Sequence, residues 1–133
     1  MKLTDIIFCD DIRIELNNKF SLMGVYNDKI IFHAQNSTIK FPLPLKLALF
    51  LRFKLDVEDE HPENFEFIYF MNREEILKIN GDIKSNDDTV LLALAHQTLP
   101  LKKGELNFSI KLLKNNKTLF QQEAKGLEIL QSI

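Results

Sequence analysis

The sequence predicts an all-β protein, an antiparallel β-sandwich of the immunoglobulin-like kind with seven to nine strands, and three observations carry that expectation. Between Leu45 and Leu55 the side chains alternate without a break. Leu45, Leu47, Leu49, Leu51, Phe53 and Leu55 fall on one side, and Lys46, Ala48, Phe50, Arg52 and Lys54 on the other. A period of two fits a strand with one buried face, whereas a helix would scatter those six apolar side chains around its circumference. At about 3.3 Å per residue this strand spans about 36 Å, longer than most. Similar segments recur at roughly ten-residue spacing with turn residues between them, the pattern of a sandwich or barrel. Phenylalanine is also abundant, 11 residues against 2 Tyr and no Trp, which suits a sheet core filled by rings.

The elements follow in order. Ile12, Ile14 and Leu16 alternate with Arg13 and Glu15 as a first short strand, and Asn17, Asn18 and Lys19 turn the chain, since Asn tolerates positive φ. Phe20, Leu22, Gly24 and Tyr26 return beside it. Asn27 to Lys29 turn again before an apolar run from Ile30 to His33, and residues 34–38 read as loop. Pro42 and Pro44 lack ladder donors, placing the start of the long strand at a sheet edge or an entry bend.

After the acidic stretch from Asp56 to Asn64, Phe65, Phe67, Tyr69 and Met71 alternate with Glu66, Ile68, Phe70 and Asn72. A tight connection at Asn72 to Glu74 leads into a strand over Ile76–Ile79, where one helical turn is the competing reading. Residues 85–88 form a turn cluster. Thr89 to Thr98 is apolar on both faces, which predicts a central strand. Leu106 to Leu113 and Thr118 to Glu123 form a hairpin about Asn115–Lys117, and Gly126 marks a bulge before Leu127 and Ile129. The long strand and terminal hairpin each show one clean apolar face, which favours a sandwich; a closed or partly open barrel would give the same alternation. No linker, repeat or low-complexity segment divides residues 1–133, so a single domain is expected.

Composition excludes several function classes. Net charge is −2 and no run of Lys or Arg occurs, so neither nucleic acid nor an anionic membrane is an expected partner. Asp5, Asp10 and Asp11 interrupt the apolar residues near the start, which argues against a signal peptide, and no stretch reaches the length of a membrane span. With a lone Cys9, the expected location is the cytoplasm.

Few residues suggest chemistry. Asp56, Glu58, Asp59 and Glu60, with Asp82, Asp87 and Asp88 in other loops, offer carboxylates of the kind calcium takes, although their spacing matches no EF-hand; solvated loop tips are the alternative. His33, His61 and His96 could in principle make a zinc site, but no two lie within one helical turn, and His96 shares the Val90, Leu92 and Leu94 face, where a hydrogen-bonded, partly buried ring is expected. Cys9 stands beside Asp10 and Asp11, whose charges stabilise the thiol rather than the thiolate a nucleophile needs. Neither a nucleophile elbow nor a Gly-rich phosphate loop occurs, so no catalytic residue and no cofactor is expected.

The apolar residues on nominally exposed faces are more informative. Ala48 and Phe50 occupy outward positions of the long strand, and Ile68 and Phe70 the outward positions of the next. If these sequential strands are neighbours, the four residues form one patch, either covered by a loop or the N-terminal segment or serving as an interface with a protein partner or a second copy.

The segment Phe8–Arg13, followed by Lys19, Phe20, Ser21, Leu22, Met23, Gly24, Val25 and Tyr26, resembles the opening of a family of small bacterial proteins of unknown function. In that family an acidic pair, an Ile-Arg and a Lys-x-Ser-Leu-x-Gly-x-Tyr segment introduce an all-β domain. The resemblance extends loosely to the hairpin between Gly104 and Gln122. It implies a bacterial or phage-related cytoplasmic sandwich and supplies no site residues. By their own chemistry, Gly24 allows a close backbone approach or a bulge, and Arg13 is placed to pair with Asp10 or Asp11. The sequence therefore points to a non-enzymatic interaction module, with a small-ligand or calcium-binding sandwich using the acidic loops as the alternative.

Overall fold

Long-range pairing sorts the alternating strands into two sheets. The computed structural model describes residues 1–33, 39–84 and 87–132. In the first sheet the order is β2 (Phe20–Val25), β1 (Lys2–Ile14), β4 (Leu43–Lys54) and β7 (Thr89–Leu101). In the second it is β3 (Lys29–His33), β9 (Lys117–Ser132), β8 (Gly104–Lys114), β5 (Asn64–Met71) and β6 (Glu74–Asp82). The two sheets pack against each other; one curls into a half-barrel and the other stays open. Among the described residues β3 and β9 run parallel and every other pair is antiparallel.

Between the sheets lies the core that the long strand announced. Leu47, Leu49, Leu51, Phe53 and Leu55 face Phe65, Phe67, Tyr69 and Met71 of β5 and Leu106, Phe108, Ile110 and Leu112 of β8, all buried. The phenylalanines interlock: Phe67 stacks on Phe108 at 5.3 Å between centroids, and Phe8 of β1 meets the edge of Phe108 at 6.1 Å across the sheets. Such ring contacts add to area burial and fix the spacing of the layers.

The turns follow their residue types. Asn72 and Arg73 (φ 50° and 71°) and Asn115 and Asn116 (φ 50° and 63°) form two-residue hairpin connections with both residues left-handed, as the strand twist requires. Gly126 is the extra residue of a bulge: Leu106 pairs with Leu127 and Asn107 with Lys125, and the Gly126 N–H donates instead to Asn107 Oδ1 at 3.2 Å. At the start of β4, Leu43–Leu47 pair only with β7 among the described residues, so Pro44 stands on a local edge opposite Pro100. Glu74–Asp82 is strand throughout, which settles the helical alternative there.

Three expectations need correction. The first strand begins at Lys2, not Ile12, and it ends before Leu16, which enters a 3-10 turn. Its first half hides from a period-two reading because Phe8 faces the main core and Cys9 the opposite face, both buried, and because the register shifts between Leu3 and Asp5. β7 is an edge strand, not a central one. Finally, β4 and β5, consecutive in sequence, belong to different sheets. The turn cluster predicted at 85–88 lies partly outside the described residues, as does the loop predicted at 34–38.

Candidate interaction surface

On the side of the first sheet turned away from the second lies another apolar cluster. Cys9 and Ile12 of β1 and Ala48 and Phe50 of β4 are buried in it; Ile7, Phe20, Leu22, Leu91, Ala93 and Ala95 pack around them half-buried. Every one of these residues belongs to β1, β2, β4 or β7, so the sheet closes over its own outer face. Phe50 is 4% exposed there, against the Phe20 ring at 5.6 Å. At the rim Arg52 places its guanidinium 5.8 Å from the Phe50 ring centre and pairs with Asp5 at 3.4 Å. A second apolar cluster with a charged rim departs from the polar outer face that an antiparallel sheet commonly turns to water.

This arrangement revises the predicted patch. Ala48 and Phe50 sit in the cluster, covered by side chains of their own sheet rather than by a loop. Ile68 and Phe70 lie on the outer face of the second sheet, half-buried, so the four residues do not form one surface. Phe70 instead lines a groove of about 460 Å³ together with Phe108 and Ala124 and the charged Arg73, Glu105, Glu123 and Lys125. Sequence reasoning missed the contributions of Ile7, Phe20, Leu22, Leu91, Ala93 and Ala95. The signal was the double-sided apolar character of residues 89–95, which the expected central position of β7 explained away.

The motif residues near the start make a structural constellation beside this face. Tyr26 donates its hydroxyl to Asp10 Oδ1 at 2.6 Å. Burial first, and then the Asp10 carboxylate, push the Tyr26 phenol up to about 12. Gly24, at φ +68°, lies where a Cβ would collide with the Asp10 carboxylate. Asp11 Oδ1 accepts the Ile12 N–H at 2.9 Å. Among the described residues no ion pair joins Arg13 to either aspartate, so the predicted pair is replaced by these local bonds. The Cys9 thiol donates to the Asp11 carbonyl at 3.4 Å, and burial, followed by the Asp10 charge, raises its pKa.

The carboxylates and imidazoles are placed one by one. Asp59 accepts the Asp56 N–H at 2.8 Å and the Met1 amino group at 2.8 Å, bonds that hold its carboxyl below the usual range; Asp56 lies 3.9 Å from that amino group. Asp88 pairs with Lys54 at 2.9 Å, and Glu60 with Lys117 at 3.4 Å. Glu58 is exposed, Asp87 is exposed with its carbonyl 3.0 Å from His61 Nε2, and Asp82 lies across from Asn64 on the other sheet's edge strand. His61 also places Nδ1 3.0 Å from the Pro62 carbonyl. His33 is exposed on β3. His96 is exposed too, rather than partly buried, because its φ of 65° breaks the alternation of β7. Among the described residues, no group of three or more His, Cys, Asp or Glu is placed to hold a metal ion, and no helix is long and apolar enough to cross a membrane.

Comparison with known proteins finds no matching family and no similar curated protein.

Proposed function

We propose that this chain is a non-enzymatic protein-interaction module of the cytoplasm that binds through the outer face of its first sheet. One observation supports the reading above the others: an apolar cluster of ten side chains from four strands, six of them only half-buried, lies on the side of the sheet that the sandwich core does not use. Burying such a surface against a partner gains about 25 cal/mol per Å², and the rim ion pair of Arg52 and Asp5 supplies orientation.

Leu22 gives a cleaner test than Phe50, whose ring is too deeply packed to accept a charge without unfolding. Tagged wild-type protein and a Leu22→Asp variant are isolated from native cells, and both are assayed for bound protein and for self-association. Loss of a stoichiometric complex in a variant that keeps its circular dichroism and melting temperature supports the module. Association indifferent to Leu22, or none at all, overturns it.

A further inference from the structure

The strand beside that surface identifies the occupant. β7 is the edge of the first sheet, and from Val90 to Ala95 each of its side chains belongs to an apolar cluster: Val90, Leu92 and Leu94 to the core, and Leu91, Ala93 and Ala95 to the outer face. Edge strands usually carry a charge, a bulge or a short span that deters pairing. Two other edges follow that rule: β6 carries Glu74, Glu75, Lys78 and Asp82, and β3 has five residues. β2 has six, with Gly24 at φ +68° near its end. β7 has 13 residues without an Asp, Glu, Lys or Arg.

Its second half is closed by its own devices. His96 takes a φ of 65°, Gln97 Nε2 donates to the Ala95 carbonyl at 3.1 Å, and Pro100 lacks a donor. The first half, Thr89 to Leu94, has none of these and pairs only with β4 among the described residues. An open, uncharged edge six residues long presents unpaired backbone groups suited to an added strand.

Resting on the proposed interaction reading, we infer that the occupant is a second copy of this chain, added antiparallel along β7 about a two-fold axis near Leu92. In that register Leu91 meets the partner's Ala93 on the outer face, large against small, while Val90 meets the partner's Leu94 on the core side. A two-fold contact requires a self-complementary segment. An uncharged strand meets no like charge when it faces itself, whatever the register. Pairing also joins the outer clusters of two copies through Leu91 and Ala93, so the sheet edge and the apolar face become one continuous contact.

Sedimentation over a range of protein concentrations, with amide hydrogen exchange of the wild type, tests this directly. The expected result is a dimer whose formation protects amides within residues 89–94. Ala93→Lys, folded by circular dichroism, weakens it by about tenfold or more, since each lysine then faces the partner's Leu91 and the two charges stand diagonally across the axis. A wild type that stays monomeric at every concentration overturns the inference, and a partner of different sequence found on the Leu22 face would leave the module reading standing. A dimer that survives Ala93→Lys without protection at 89–94, yet dissociates on Leu22→Asp, also overturns the edge pairing while supporting the face.

Discussion

Tyr26 and Asp10 form a 2.6 Å hydrogen bond across β1 and the chain just after β2, and the carboxylate that accepts it occupies the space a side chain at Gly24 would need. Three residues of the Asp-Asp-Ile-Arg and Lys-Phe-Ser-Leu-Met-Gly-Val-Tyr segments thus act as one unit. Gly24→Ala is expected to cost about 2 kcal/mol, from a left-handed φ and the displaced carboxylate together. Chemical denaturation measures it. Pairing the change with Asp10→Ala should recover only the steric part.

Tyr26 also predicts how stability depends on alkali. Its folded pKa of about 12 lies above the ordinary value of 10. The folded state therefore keeps a proton that the unfolded state releases, and this contribution is complete below pH 10 and lost as pH rises toward 12. Burial raises Tyr69 in the same direction. A pH series of melting temperatures should show a fall over that window that is shallower in Tyr26→Phe.

Tyr69 offers a stabilising substitution. Its hydroxyl is buried without a hydrogen-bond partner among the described residues, while its ring meets Phe67 at 4.6 Å. An unsatisfied buried hydroxyl costs about 1–3 kcal/mol, so Tyr69→Phe should raise stability by about 1 kcal/mol, and Tyr69→Ala should lower it by about 3–5 kcal/mol through the cavity it leaves. Melting temperatures of the pair decide it.

Asn72 ties two hairpins together. Its Nδ2 donates to the Lys103 carbonyl at 2.8 Å and its Oδ1 accepts the Glu105 N–H at 3.0 Å, while its own backbone sits at φ 50°. Asn72→Ala removes both bonds and a residue tolerant of that φ, for an expected loss of about 2 kcal/mol. Asn72→Gly, which restores only the backbone freedom, should recover a minority of it.

The hydrogen bond and charge of Lys54 hold Asp88 below the ordinary carboxylate range. Its contribution to stability is present above the unfolded-state carboxylate pKa and is lost as pH falls through the lower folded value. The carboxyl signal of Asp88 in an NMR titration should move up to the ordinary range in Lys54→Ala. An unchanged midpoint would show that the pair does not form in solution.

How much of this was legible depended on whether one face or two were buried. β5 and β8 bury one clean face each, and their alternation named their core residues directly; β4 alternates as cleanly in sequence, so its core face was legible although it buries Ala48 and Phe50 on the other side as well. Gly126 and the Asn turns were legible because their backbone demands leave few residue choices. Residues 6–9 and 89–95 are apolar on both sides, and a strand of that kind reads alike whether a second cluster or a central position causes it. The split of Ala48 and Phe50 from Ile68 and Phe70 had no local signal, because the sheet to which a strand belongs is decided by long-range pairing. The bulge at His96 was equally silent, since neither His nor its neighbours advertise a positive φ.

The parallel pairing of β3 with β9 has a temporal meaning. Lys29 to His33 lie against Glu128 to Ser132, so among the described residues β3 finds its sheet partner about a hundred residues further along the chain. During synthesis, residues 29–33 leave the ribosome long before residues 128–132, the sheet partners they have among the described residues. Such distant pairings slow folding, because the loop must close before contacts reward it. A nascent chain stalled at Leu127 would carry Ile30, Ile31 and Phe32 without that pairing, making residues 128–132 the latch for a strand made about a hundred residues earlier.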